Sequence, residues 1–350
     1  MLKRLRSAHP MLYCLVAEVL FLGMLFVASL LSLLLILLVV RDIDAVDDYM
    51  LTFMQETAGV LVVWLFLART GKSGLLRRRG SGFFNGLLVG LYPIALISYN
   101  AYNTLLFGRP EGDMLPAWHV VWFLIGMTSV GVAEEFLFRG IIAQTLLEHF
   151  GTSRAGVWKA CLLSGLYFGA AHLTNLTGSA PLGVLMQCVF AASLGTLLAA
   201  VYFRTGNIWV TVFIHAAMDI TSMLIGGLYG TQTVADSIST YDITMLTSIA
   251  VYLIPTAFLL RKKKLSEVEL YFGRDMNKRN GRAQLCAAIP FSISVIRNQW
   301  AESADRSAPA RRYGPRCTDS SPEPRSSRRC RRRISARAGR PWPPASGRRR

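Results

Sequence analysis

Charge is scarce over most of this chain. Of its 38 Lys and Arg, 20 fall in residues 271–350, which leaves 18 for residues 1–270; of its 21 Asp and Glu, 5 fall in that tail, which leaves 16. A soluble domain of that length needs a far denser charged surface, so a water-soluble globular body is excluded. The six Cys (Cys14, Cys161, Cys188, Cys286, Cys317, Cys330) form no C-x-x-C pair and no metal-ligand spacing, which excludes a thioredoxin-type redox motif and a zinc ribbon. Cys14, Cys161 and Cys188 lie in apolar runs, as plain core residues do. There is no His-Glu-x-x-His, so that class of zinc site is absent. A Gly-x-Ser-Gly motif is missing too, because Ser164–Gly165 follows Leu162 and Leu163. Gly112–Asp113 has Pro110 where a Gly-x-Gly-Asp motif needs its first glycine. No internal repeat of solenoid length is present.

What remains is apolar sequence in long runs: 52% of the chain is hydrophobic and its mean hydropathy is +0.38. A helix needs about 20 apolar residues to cross a hydrocarbon core of roughly 30 Å. Eight segments are predicted to do so: 17–40, 49–68, 83–103, 117–133 (continuing as a helix to about 148), 158–177, 182–203, 207–228 and 243–260. The first follows a basic start but is too long, and lacks a cleavage site, for a signal peptide. With a cytoplasmic N-terminus, the inner segments carry 15 of the 18 basic residues of the body, whereas the outer loops carry Arg41 and Arg109 among eight acidic residues. The fold class is therefore all-α, a polytopic membrane protein of about eight transmembrane helices, with both termini cytoplasmic.

Few ionisable residues are left within the spans: Glu18, Glu56, Glu134, Glu135, Arg139, His172, His215 and Asp219. A charge at membrane depth is costly unless it is paired or lines a wet cavity, so each is a functional candidate. Glu135 and Arg139 are four apart, which suits a salt bridge. Glu134 is then left free, about 100° round the helix. Phe168 and His172 share a face of the fifth segment, with Gly169, Ala170 and Ala171 allowing close helix approach. In the seventh, Asp219 stands four after His215, where it is expected to accept from one imidazole nitrogen and leave the other for a metal, a water or an oxyanion. Glu18, Glu56, His9, His119 and His149 are assigned to span ends, without a site role. A free carboxylate and two imidazoles on three helices suit the activation of water. Straight spans place these groups at depths that differ by up to about 17 Å, so bringing them together requires a tilt, a kink or a shifted boundary.

Glu134–Glu135–x–x–x–Arg139, Phe168–x–x–x–His172 and His215–x–x–x–Asp219, in that order on successive helices, resemble the CPBP family, also called the Abi or CAAX-protease family. The resemblance covers roughly residues 117–225. It implies an all-helical intramembrane endopeptidase, in which Glu134 is the water-activating glutamate and Glu135, Arg139, His172, His215 and Asp219 complete the motifs. The last position is commonly Asn in the family. An Asn amide donates to an oxyanion, whereas an ionised Asp repels it, so Asp219 is expected to orient His215 or to bind a metal unless it is protonated. A divalent metal, zinc, on His172, His215 and Glu134 is one version of the site; water activated without metal is the other. The alternatives are a non-catalytic immunity or scaffold protein of the same fold and a transporter.

The expected organisation is thus N-terminal helices over 1–116, the catalytic core over 117–228, a last helix with a basic end over 229–270, and an Arg-rich disordered tail over 271–350. The tail changes composition so abruptly that it reads as an extension without selected function, rather than as a polybasic lipid-binding segment. The expected partners are a membrane-delivered peptide or protein and the lipid bilayer of the cell membrane, with no nucleic acid.

Overall fold

A computed structural model describes residues 2–42 and 46–273. The expected tail lies outside the described residues, apart from its first three. Among the described residues every regular element is helical. The helices used below are α1 (Leu2–Ala8), α2 (Pro10–Val40), α3 (Asp48–Thr70), α4 (Phe83–Val89), α5 (Leu91–Phe107), α6 (Ala117–Phe150), α7 (Arg154–Ala171), α8 (Pro181–Thr205), α9 (Ile208–Ser222), α10 (Leu224–Tyr229), α11 (Val234–Ser239), α12 (Ile243–Leu259) and α13 (Lys262–Gly273).

Each of the eight expected segments is largely helical, but not all of them are single helices of spanning length. Four helices, α2, α3, α6 and α8, are long and apolar enough to cross a membrane. The pairs α4/α5 and α12/α13, bent by 79° and 62°, raise this to six if each pair is one span. The fifth segment stops at Ala171, where the chain tightens into a 3₁₀ turn over His172–Thr177. The seventh, α9, has 15 residues and reaches about 22 Å, short of a hydrocarbon core.

Small residues explain how these helices approach one another. Gly86 and Gly90 lie against Val210 and Ile214 of α9, where a β-carbon would come to 2.4 Å of each side chain. Gly90 also stands at the α4/α5 bend. Gly165 and Gly169, one turn apart on α7, face the backbone of α8, where an added β-carbon would come to 2.4 Å of the Ala192 carbonyl oxygen and 2.5 Å of that of Cys188, respectively. Gly131 on α6 lies against Ala216 of α9, where a β-carbon would come to 2.9 Å of the Ala216 nitrogen. Backbone approach of this kind is how helices gain dispersion contact where lipid offers no hydrophobic drive.

The spine is α6, whose residues Glu135–Leu147 are buried without a break. The other long helices pack around it, whereas α2 presents Phe26, Leu31, Leu34 and Leu38 outward, an apolar face suited to lipid. At one end Glu148 receives Arg6 at 3.0 Å and Lys72 at 2.7 Å, tying α1, α3 and α6 together. At the other end of α3, Asp47 pairs with His119.

Candidate active site

The paired glutamates sit where α6 changes its winding. The α-helical stretch runs Ala117–Glu135, and Phe136–Ala143 follows as a π-helix, a wider turn that recurs at functional sites. Glu135 and Arg139 have no exposed side-chain surface and pair as their spacing predicts, Nη1 to Oε1 at 2.8 Å. Arg139 also donates from Nη2 to the Gly195 carbonyl at 3.3 Å and stands 5.1 Å over the Phe168 ring. The same Glu135 Oε1 lies 2.9 Å from His215 Nδ1. Glu134, one residue earlier, turns a side chain that is 21% exposed toward His215, its Oε2 standing 3.4 Å from Nε2.

Phe168 organises the second half of the site. Its ring receives His172 edge-on at 5.0 Å and His215 edge-on at 5.4 Å. The Phe168 carbonyl lies 2.8 Å from His172 Nδ1. A carbonyl only accepts, so Nδ1 carries hydrogen there and Nε2 is left for other partners. Glu134, His172, His215 and Asp219 line one cavity of about 430 Å³. The structure therefore brings together all six residues singled out in the sequence: four on the cavity wall, with Glu135 and Arg139 as the buried support of His215. The groups meet at one cavity where α6 runs on to Phe150, α9 is short and His172 follows the last residue of α7.

Two expectations are corrected. Asp219 does not hold the imidazole: its Oδ2 is 3.6 Å from Nε2, whereas Glu135 takes Nδ1 at 2.9 Å. The carboxylate eighty residues away wins because Gly131 lets α6 close onto α9 beside Ala216. Glu56 is not interfacial either. It is 8% exposed and shares the cavity with Glu134. Its place, two turns inside α3, was a signal that could have found it. Glu18 is also buried but does not line the cavity. Asn175, Gln187 and Tyr241 also line it, and no local spacing announces them. Asn175 donates to Gln187 at 2.8 Å.

Among the described residues, no group of three or more His, Cys, Asp or Glu side chains is arranged to hold a metal ion. Glu135 is spent on Arg139 and His215, Arg139 on Glu135 and the Gly195 carbonyl, and His172 Nδ1 on a carbonyl. What the arrangement offers directly is a carboxylate with an imidazole beside it on a wet-sized cavity, a pairing able to take and return a proton.

No curated protein matches this chain. Residues 116–221 match the family described as Type II CAAX prenyl endopeptidase, Rce1-like. All six residues of the site lie inside that segment, so the similarity to that family covers the whole site.

Proposed function

We propose that this protein is an intramembrane endopeptidase in which Glu134 activates a water against a peptide bond. The observation that carries the reading is the division of labour between adjacent glutamates. Glu135 is neutralised by Arg139, and Glu134 is left facing the cavity with His215 Nε2 at 3.4 Å. A carboxylate so placed takes a proton from water as the water oxygen attacks the carbonyl carbon. It returns that proton to the nitrogen as the carbon–nitrogen bond breaks. His215, fixed at Nδ1 by Glu135, presents Nε2 to the cavity; in its protonated form Nε2–H can donate to the oxyanion. The Phe168 ring and carbonyl hold His172 in one orientation, with Nε2 for the water or the substrate. No step is assigned to a metal.

The proposal sets the protein in the cell membrane with both termini cytoplasmic, on the loop-charge asymmetry. Purified protein in micelles is expected to cleave a membrane-delivered peptide. Glu134→Gln is expected to lower the rate about 10²- to 10⁴-fold with the fold retained. Cleavage unchanged in Glu134→Gln refutes the assignment. A folded, inactive wild type whose biological effect survives this substitution favours the scaffold alternative. Elemental analysis of the active preparation tests the zinc expectation.

A further inference from the structure

Glu56 lies on α3, outside the matched segment 116–221, and the mechanism above does not use it. It is 8% exposed, lines the same cavity as Glu134 and Asp219, and its Oε2 has no hydrogen-bond partner. Asp219 Oδ2 has none either. A buried carboxylate left unsatisfied is costly in its ionised form, and a cationic partner would remove that cost.

The charge around the cavity says what kind of partner. Glu56, Glu134, Glu135 and Asp219 stand against Arg139, His172 and His215. With all four carboxylates ionised and both imidazoles neutral the balance is three negative charges; with both imidazoles protonated it is still one. Arg139 is already committed to Glu135 at 2.8 Å. A positive partner offsets that balance and keeps the carboxylates ionised. Because no three ligand side chains are arranged for a metal among the described residues, the better fit is an organic cation whose donors reach separated carboxylates. The cavity, at about 430 Å³, falls in the roughly 300–1,000 Å³ range of small-ligand sites. Beside Glu56, Phe21 and Leu25 offer apolar wall while Thr52 and Gln55 offer polar groups. That combination suits an apolar stem carrying a cationic head.

We propose that Glu56 is a specificity-determining residue that receives a basic side chain, Lys or Arg, of the peptide substrate, with Asp219 as the second carboxylate. The proposal rests on the endopeptidase reading for its substrate, but its test reads binding. The full chain carrying Glu134→Gln is held in micelles and titrated with a fluorescent apolar peptide bearing one central lysine. The same peptide with norleucine in place of lysine is the comparison. The lysine peptide is expected to bind at least about tenfold tighter, since a charge-assisted hydrogen bond would be lost with norleucine. Adding Glu56→Gln is expected to abolish that preference, and adding Glu18→Gln, buried away from the cavity, to leave it intact. Equal binding of the two peptides overturns the proposal whether or not the Glu56 variant folds. So does a lysine preference that survives Glu56→Gln, or stoichiometric zinc binding that depends on Glu56 with no lysine preference. Cleavage is read separately on the wild type: its absence counts against the endopeptidase reading alone.

Discussion

The Glu135–Arg139 pair allows a thermodynamic cycle worked from the structure. Both side chains are fully buried, 2.8 Å apart, and neither has bulk water to fall back on. Arg139→Met removes the cation that neutralises the Glu135 carboxylate and leaves it with neighbours such as His215 at 2.9 Å. Glu135→Gln strands the guanidinium with the Gly195 carbonyl and the face of Phe168. Removing one member of a buried ion pair costs about 3–5 kcal/mol, most of it the uncompensated charge that remains. The double variant leaves no such charge, so its cost is expected to fall short of the summed single costs by about 2–3 kcal/mol. The assay is reversible unfolding in mixed micelles, followed by helicity as denaturing detergent is raised. Additivity within about 0.5 kcal/mol would refute the reasoning, because it would mean that the two groups do not compensate each other in the folded protein.

Other expectations follow from the same geometry. Asp219→Asn is expected to keep kcat at saturating substrate within about tenfold of wild type, because Glu135 rather than Asp219 holds His215; a larger loss of kcat in a folded Asp219→Asn protein would restore Asp219 as the orienting group. Gly131→Val adds atoms where a β-carbon already meets the Ala216 nitrogen at 2.9 Å. It is expected to cost about 1–3 kcal/mol and to reduce cleavage by displacing Glu134 from His215, and full activity with unchanged stability would contradict the close packing of α6 on α9.

The candidate site was partly legible from spacing alone. Glu135 and Arg139 are four apart on one helix, so local geometry brings them together whatever the rest of the fold does. The same rule misled at Asp219, where four-residue spacing gave only a 3.6 Å approach to His215. The segments that break or stop early, α4/α5 at Gly90 and α7 at Ala171, look continuous in hydropathy because hydropathy carries no information on backbone bending. Glu56 was set aside because a carboxylate near the start of a span can be either interfacial or buried, and only its neighbours decide.

The amino-acid order by itself determined the helical class, the membrane setting, the Glu135–Arg139 pair and the set of acid and imidazole groups available for chemistry. All of these follow from composition or from contacts within a single helix. The partner of His215, the placement of Glu56 and the shared cavity were decided only in three dimensions. Those contacts join residues far apart in the chain, and they exist because particular glycines let particular helix backbones close on one another.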